Sequence, residues 1–328
     1  MSNETRSGRS VSKVEFVIFI LSCVLAVTGC RSSKTNATTE RADPAKGSSS
    51  PPSNFQKRQQ EAEQQLRPEI ETQRQQEQKE AEKTLDQDAI NSIQQTEGAI
   101  QCIAENRKDD ALAEIERATG KINILLARNP ASAAIPVDVQ VVIIDAAPTD
   151  LKQIDHTVQL ATDATKDKDL PAARILLASI ISELRIRTTS LPLATYPEAL
   201  KRAAQLLDQG KNRDAGDVLL TALNTLVIVD HVLPLPLVLA QAAIDDANSQ
   251  RQNNKQLALT LLEAAKNEII RSRHLGYLSE DAEYKALDDE ISNLESAVKG
   301  PGNTTSLFAQ LRERIAAFIN RQKQHANQ

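Results

Sequence analysis

Residues 191–223 read LPLATYPEALKRAAQLLDQGKNRDAGDVLLTAL, and residues 233–265 read LPLPLVLAQAAIDDANSQRQNNKQLALTLLEAA. The two align without a gap at an offset of 42 residues, matching Leu191-Pro192-Leu193 to Leu233-Pro234-Leu235. Each unit predicts a proline-marked extended entry, a helix, a polar turn and a second helix. In the first unit Ala199, Leu200, Ala203, Ala204, Leu206 and Leu207 fall on one helical face. Thr195 with Glu198 three residues on has the spacing of a capping box. Gly210 predicts the stop, because glycine tolerates the left-handed backbone that ends many helices. Ala215, Val218, Leu219, Ala222, Leu223 and Leu226 give the second helix its face.

Working outward, looser copies precede this pair. Thr157 to Thr165 and Ala172 to Leu184 flank the polar turn Lys166-Asp167-Lys168, and Ala89 to Ala104 and Asp110 to Arg128 flank Glu105-Asn106-Arg107-Lys108. The expected fold is therefore all-α, a bundle of antiparallel helix pairs. The plan is tetratricopeptide-like, but the period exceeds roughly 34 residues and the aromatic signature of that repeat is missing. Two stretches break the helical rule. Val137-Asp138-Val139-Gln140-Val141 alternates strictly and runs into Val142, Ile143 and Ile144, and Arg185-Ile186-Arg187-Thr188-Thr189 alternates as well. Both predict a short β-ribbon pinned to the bundle, or extended linker lying across helices.

Composition constrains the core. Aromatic residues make up 2% of the chain and tryptophan is absent, so the interior has to be built from Leu, Ile, Val and Ala. That suits closely packed helices better than a stacking site for bases or sugars.

The N-terminus carries an address. Arg6, Arg9 and Lys13 precede the apolar run Phe16 to Val27, which ends in Val27-Thr28-Gly29-Cys30. About twelve apolar residues are too few for a membrane-spanning helix, which needs roughly 20, and match the core of an export signal. Small residues leading to a cysteine are the pattern of a bacterial lipoprotein signal, with Cys30 the lipidation site and the mature N-terminus. A diacylglyceryl group plus an N-acyl chain at Cys30 would hold the protein on a membrane, since one acyl chain alone binds only marginally. Arg31, not an aspartate, follows Cys30, so the expected location is the cell envelope, on the outer membrane facing the periplasm.

Removing residues 1–29 takes away three basic residues (Arg6, Arg9, Lys13) and two acidic ones (Glu4, Glu15). The net charge becomes −6, against −5 for the whole chain. A mildly acidic chain without a basic patch argues against nucleic acid as a partner. Cys23 leaves with the signal and Cys30 is taken by lipid, so Cys102 alone remains and no intramolecular disulfide can form.

The domain plan follows from composition. Residues 1–29 are the signal peptide. Residues 30–54, rich in Ser, Thr, Asn, Ala and Pro, are a flexible tether with a mean reach of roughly 25–30 Å. Residues 55–88, dominated by Gln, Glu, Lys and Arg and interrupted by Pro68, predict a polar helix or spacer, solvated and without the continuous stripe a coiled coil needs. Residues 89–298 are the helical domain. Residues 299–328 are a linker, Gly300-Pro301-Gly302-Asn303, and a helix striped by Leu307, Phe308, Leu311, Ile315, Phe318 and Ile319. With Arg312, Arg314, Arg321 and Lys323 against Glu313, that helix could lie on an anionic membrane, dock on a partner or pack on the bundle.

Several motifs keep their order along the chain: Ile135-Pro136-Val137-Asp138-Val139, Leu191-Pro192-Leu193-Ala194-Thr195-Tyr196-Pro197, Leu206-Leu207-Asp208-Gln209-Gly210-Lys211, Ala222-Leu223-Asn224-Thr225-Leu226-Val227, Val232-Leu233-Pro234-Leu235-Pro236-Leu237, and Gly276-Tyr277 with Tyr284-Lys285-Ala286-Leu287. Through them, Ala89 to Val298 resembles the YfdX family of bacterial envelope proteins. The resemblance implies a mostly α-helical domain exported beyond the cytoplasmic membrane. It implies no reaction and carries over no catalytic residue.

No catalytic constellation stands out. His156, His231, His274 and His325 are scattered without a partner at i+3 or i+4, which is not the spacing of a zinc site. Asp245-Asp246 and Asp288-Asp289-Glu290 read as solvated helix faces. There is no G-x-S-x-G elbow and no phosphate loop. Tyr196, Tyr277 and Tyr284 are the only tyrosines, placed either to line a pocket or to hold turns by packing. No catalytic, cofactor or metal residue is assigned.

The expected function is non-enzymatic: a lipid-anchored envelope protein that associates with itself, binds an envelope protein or takes a small ligand, in the service of envelope stress tolerance. The alternatives are a self-assembling structural protein and an envelope enzyme with a scattered site.

Overall fold

A computed structural model describes residues 54–277 and 280–325. The signal and the tether up to residue 53, with Cys30, lie outside the described residues. Helix α1 (Asn54–Glu82) is followed by the pair α2 (Gln87–Ala104) and α3 (Lys108–Arg128). Strand β1 (Ala134–Asp145) leads into α4 (Leu151–Lys166) and α5 (Leu170–Ala178). Strand β2 (Ser182–Pro192) leads into α6 (Tyr196–Asp208) and α7 (Asn212–Asn224), and β3 (Val227–Pro234) into α8 (Leu235–Gln250) and α9 (Lys255–His274). Helices α10 (Glu283–Lys299) and α11 (Thr305–His325) close the chain. The mainly helical reading holds, and the β-ribbon is present with one strand more than expected.

The strands form one antiparallel sheet in the order β1-β2-β3. Asp145 pairs with Ser182 and Val141 with Ile186 across the first ladder, and Ile186 with His231 across the second. The repeat is thus a strand followed by a helix pair. Pro192 and Pro234, 42 residues apart, are the last residues of β2 and β3, so the proline-marked extended entries are the ends of strands. Because antiparallel strands exit at alternate ends, successive helix pairs leave the sheet at alternate ends too. Helices α2, α3, α6 and α7 pack together with the start of β1 and the end of β2, around Ile122, Leu125, Leu191, Tyr196, Leu200 and Leu219. A second cluster joins Val139, Val141, Leu184, Ile186 and Leu233 of the sheet to α8–α11, through Leu237, Leu262, Leu287, Ile315 and Phe318. Each fully buried aliphatic or aromatic side chain contributes roughly 1.5–3 kcal/mol.

Three of the hairpins turn the same way. At Asn106, Lys168 and Gly210 φ is +57°, +63° and +74°. In each the next residue's N–H reaches back to a helix carbonyl: Arg107 to Cys102 (2.8 Å), Asp169 to Ala164 (2.8 Å) and Lys211 to Leu206 (2.9 Å). This is the Schellman stop, with its left-handed residue just past the helix. Gly210 was legible as such; Asn106 and Lys168 do the same work with a side chain attached. The α8–α9 turn differs, and Asn254 caps α9 by accepting from Leu257 N at 3.0 Å.

Two local expectations fail. Thr195 precedes α6 but sits at ψ −31°, already in the helical region, and its side chain makes no cap bond. A capping hydroxyl needs an extended residue behind it, and Pro197 in the first turn supplies no N–H. Glu198 pairs with Lys201 instead, at 2.8 Å. Pro68 does not break α1. The C-terminal half of that helix lies along β1 and α8, with Ile70 only 7% exposed, where a solvated spacer was expected.

Helix α11 packs on the bundle, burying Phe308, Leu311, Ile315, Phe318 and Ile319. Two of the carboxylates read as solvated faces help hold it there: Asp245 of α8 pairs with Arg312, and Glu290 of α10, together with Glu283, pairs with Arg314. Arg312, Arg314 and Arg321 of α11 are therefore matched inside the molecule. Among the described residues no helix is long and apolar enough to cross a membrane.

Candidate functional site

The buried polar residues Ser182, Glu183, Glu268, Arg271 and Ser272 gather where β1 leaves the sheet and β2 enters it. Arg271, one turn before the end of α9 and 5% exposed, donates from Nε to Pro148 O (3.2 Å) and from Nη2 to Ala147 O (3.1 Å). Its Nη1 faces Glu268 Oε2 at 3.3 Å, and Nη2 lies 3.6 Å from Asp145 Oδ1. A buried guanidinium is tolerated only where its donors are met. Here they fasten the β1–α4 connection to α9.

Next to it, Gly276 at φ +90° turns the chain back after α9, which sets Tyr277 against the start of β2. The Tyr277 hydroxyl accepts from Ser182 N at 3.1 Å and donates to Glu183 Oε2 at 3.3 Å. Burial raises this phenol above its ordinary range, partly offset by the Ser182 N–H. Ser182 Oγ donates to Asp145 Oδ1 (2.9 Å), and Glu183 Oε1 accepts from Arg185 Nε at 2.8 Å. Tyr284 donates to Tyr277 O (2.5 Å) and accepts from Ser272 Oγ (2.9 Å), with its ring edge-on to Phe318 at 5.0 Å. Burial pushes its phenol up to about 12.

Of the three tyrosines, Tyr196 is a core residue of the other cluster, fully buried and donating to Thr96 Oγ1 at 2.7 Å. Tyr284 packs between α9, α10 and α11. Tyr277 alone combines the two expected roles, holding a turn and lining a cavity. That cavity is an open groove of about 580 Å³ between α5, the start of β2 and the turn after α9. Its walls are mainly Leu170, Leu177, Ile180, Ile181 and Leu275.

His156, His231 and His274 lie on three different elements and do not form a group. His156 is exposed on α4, and His231 lies on β3. His274, at the end of α9, places Nδ1 2.6 Å from Asp155 Oδ1 of α4. Among the described residues no group of three or more His, Cys, Asp or Glu is arranged to hold a metal ion. Cys102 is buried and free.

A family model, YfdX protein, matches residues 89–232. The chain carries a YfdX domain. The matched stretch runs from α2 to β3, shorter than the 89–298 suggested by the motifs. A solved structure of Salmonella Typhi YfdX is similar at 15% sequence identity, covering 46% of this chain and 93% of that one with a TM-score of 0.32. No curated protein matches.

Sequence reading missed Arg271 and the groove beside this YfdX domain's second strand. The Glu268–Arg271 spacing of three is common on solvated helices, so nothing marked it as buried. Of the groove's lining only Tyr277 was singled out in the sequence, because apolar residues such as Leu170, Leu177 and Leu275 carry no sign of which cavity they face.

Proposed function

We propose that this YfdX-domain protein works by binding, as a lipid-anchored protein of the bacterial envelope whose α4–α5 hairpin is the docking element. The observation that carries the reading is the exposure of that hairpin: Leu160 is 43%, Leu170 65%, Ile175 71% and Leu177 51% exposed. It buries only Ile154, Ala161 and Ala173. Several large apolar side chains left in water on one hairpin support an interaction surface. The signal ending at Cys30 and the resemblance to an envelope family support anchoring, on the outer membrane facing the periplasm. A role in tolerating envelope stress belongs to the same proposal.

The ionisable cluster supports binding over turnover. Arg271 is engaged by two carbonyls and a carboxylate, and Glu183 by Arg185 and Tyr277. Groups so fully engaged hold structure in place.

The test is in-cell crosslinking of the full chain with a photoreactive residue at position 175, a second at position 202 on α6, and a Cys30→Ser version of each. The expected outcome is an adduct with another envelope protein from position 175 alone, lost when the anchor is removed. Adducts containing only further copies of the chain would favour the self-assembling alternative. No adduct, or a catalytic turnover abolished by one side-chain change, would overturn the proposal.

A further inference from the structure

The groove has a property that the hairpin's outward residues lack: its polar atoms can be accounted for one by one. Four polar residues line it, Thr165, Arg174, Glu183 and Tyr277. Thr165 donates its hydroxyl to Ala161 O at 2.8 Å. The Glu183 carboxylate is held by Arg185 and Tyr277, and the Tyr277 hydroxyl both accepts from Ser182 and donates to Glu183. Arg174, exposed on α5, is paired with no carboxylate among the described residues. A guanidinium carries five donors in a planar fork, and its best match is a carboxylate. The groove therefore offers one unmatched cation beside an aliphatic floor.

Shape narrows the occupant. A volume of about 580 Å³ falls in the range of small-ligand sites. A helix of roughly 10–12 Å diameter would fill it with about one turn, too little for the i, i+3, i+4, i+7 anchors of groove-bound helices. Tyr277 is the only ring in the lining, so there is no pair of aromatic faces to sandwich a flat ligand. Leu170, Leu177 and Ile181 give instead a narrow aliphatic track, about 10 Å long from Leu170 to Leu177, with Leu275 opposite.

We propose that this groove binds a single-chain fatty carboxylate, the hydrocarbon lying along Leu170, Leu177, Ile181 and Leu275 and the head held by Arg174. The inference rests on the reading of the α4–α5 hairpin as a binding element, and it names a ligand for the hairpin's inner side.

The experiment is calorimetric titration of the full chain carrying Cys30→Ser with octanoate, decanoate and dodecanoate below their micelle concentrations, and with dodecanol. Fully burying each added methylene raises affinity about fourfold, so in this open groove dodecanoate binds one-to-one and more tightly than octanoate by a factor of at most about 250. Arg174→Gln weakens dodecanoate about tenfold or more and leaves dodecanol unchanged, while Leu177→Asp weakens both. Both side chains are exposed, and circular dichroism checks that the fold is kept. Absence of saturable binding, affinity that does not rise with chain length, or equal loss of carboxylate and alcohol in Arg174→Gln would each overturn the proposal. Partner capture from position 175 without fatty-carboxylate binding would sink this inference and leave the docking reading standing. Binding without capture would do the reverse.

Discussion

Gln78 of α1 stands beside Val141 of β1 as a neighbouring strand would. Its Oε1 accepts the Val141 N–H at 3.0 Å, and its Nε2 donates to Val139 O at 3.3 Å. Two main-chain groups of an edge strand, which would otherwise face a passing chain, are met by one side-chain amide. Arg74, one turn earlier, adds a long contact to Val141 O at 3.5 Å. An open edge is a template for pairing with other chains, and proteins cover or charge it. The glutamine-rich helix is this protein's cover.

Replacing Gln78 by Leu removes both bonds and leaves two main-chain groups unmatched. The expected loss is about 1–3 kcal/mol, read from urea unfolding, with faster aggregation near the midpoint. Gln75→Leu, whose amide reaches only Glu71, should cost much less and aggregate no faster.

Arg271→Ala takes the cation from a buried pair and releases the carbonyls of residues 147 and 148. Removing one partner of such a pair costs about 3–5 kcal/mol, and amide exchange should accelerate first in residues 146–150. A double change, Glu268→Gln with Arg271→Met, should recover part of the loss in thermal unfolding, because no unmatched charge is then left inside.

The three tyrosines set an alkaline limit. Burial raises Tyr196 and Tyr284 to about 12 and raises Tyr277 further, against about 10 when unfolded. Above pH 10 the unfolded chain releases protons that the folded one keeps, so stability is whole below pH 10 and falls as pH rises toward 12. Each phenol contributes up to about 1.4 kcal/mol per pH unit in that window. Absorbance of ionised tyrosine should then rise together with unfolding; a phenol that titrates near 10 in the folded protein would contradict its burial.

The left-handed turns should respond oppositely to opposite changes. Gly210→Ala forces a Cβ into φ +74° and should cost about 1–2 kcal/mol, although nothing crowds the added carbon. Lys168→Gly relieves the same strain at φ +63° and should gain about 1 kcal/mol, less the glycine's greater unfolded-state freedom. Paired thermal melts of the two variants check the sign.

How much of this was legible depended on whether periodicity carried the information. Strands β1 and β2 alternate and were readable; β3, with Val227, Ile228 and Val229 in succession, does not, and so its pairing with β2 went unseen. The helix pairs were readable because Leu200, Ala203 and Leu207 repeat at helical spacing. On α5 helical spacing alone gave no sign that Leu170, Ile175 and Leu177 lie at the surface. A pattern records that a side chain avoids water, not which molecule covers it. Gln78 and Arg271 act through hydrogen bonds to backbone groups far away in sequence, which leave no trace in an apolar period.

The alternation of helix pairs between the two ends of the sheet also governs the order in which the chain can assemble. Tyr196 meets Thr96 across 100 residues, and between them lie α3, β1, α4, α5 and β2. Each hairpin can form early, since its contacts are local, but the cluster of α2, α3, α6 and α7 cannot close until α6 and α7 have followed along the chain. Closing so long a loop is entropically costly and slow relative to hairpin formation. While the chain is being made, α2 and α3 therefore wait with one apolar side uncovered, and that interval is when the newborn protein is most exposed to misassociation.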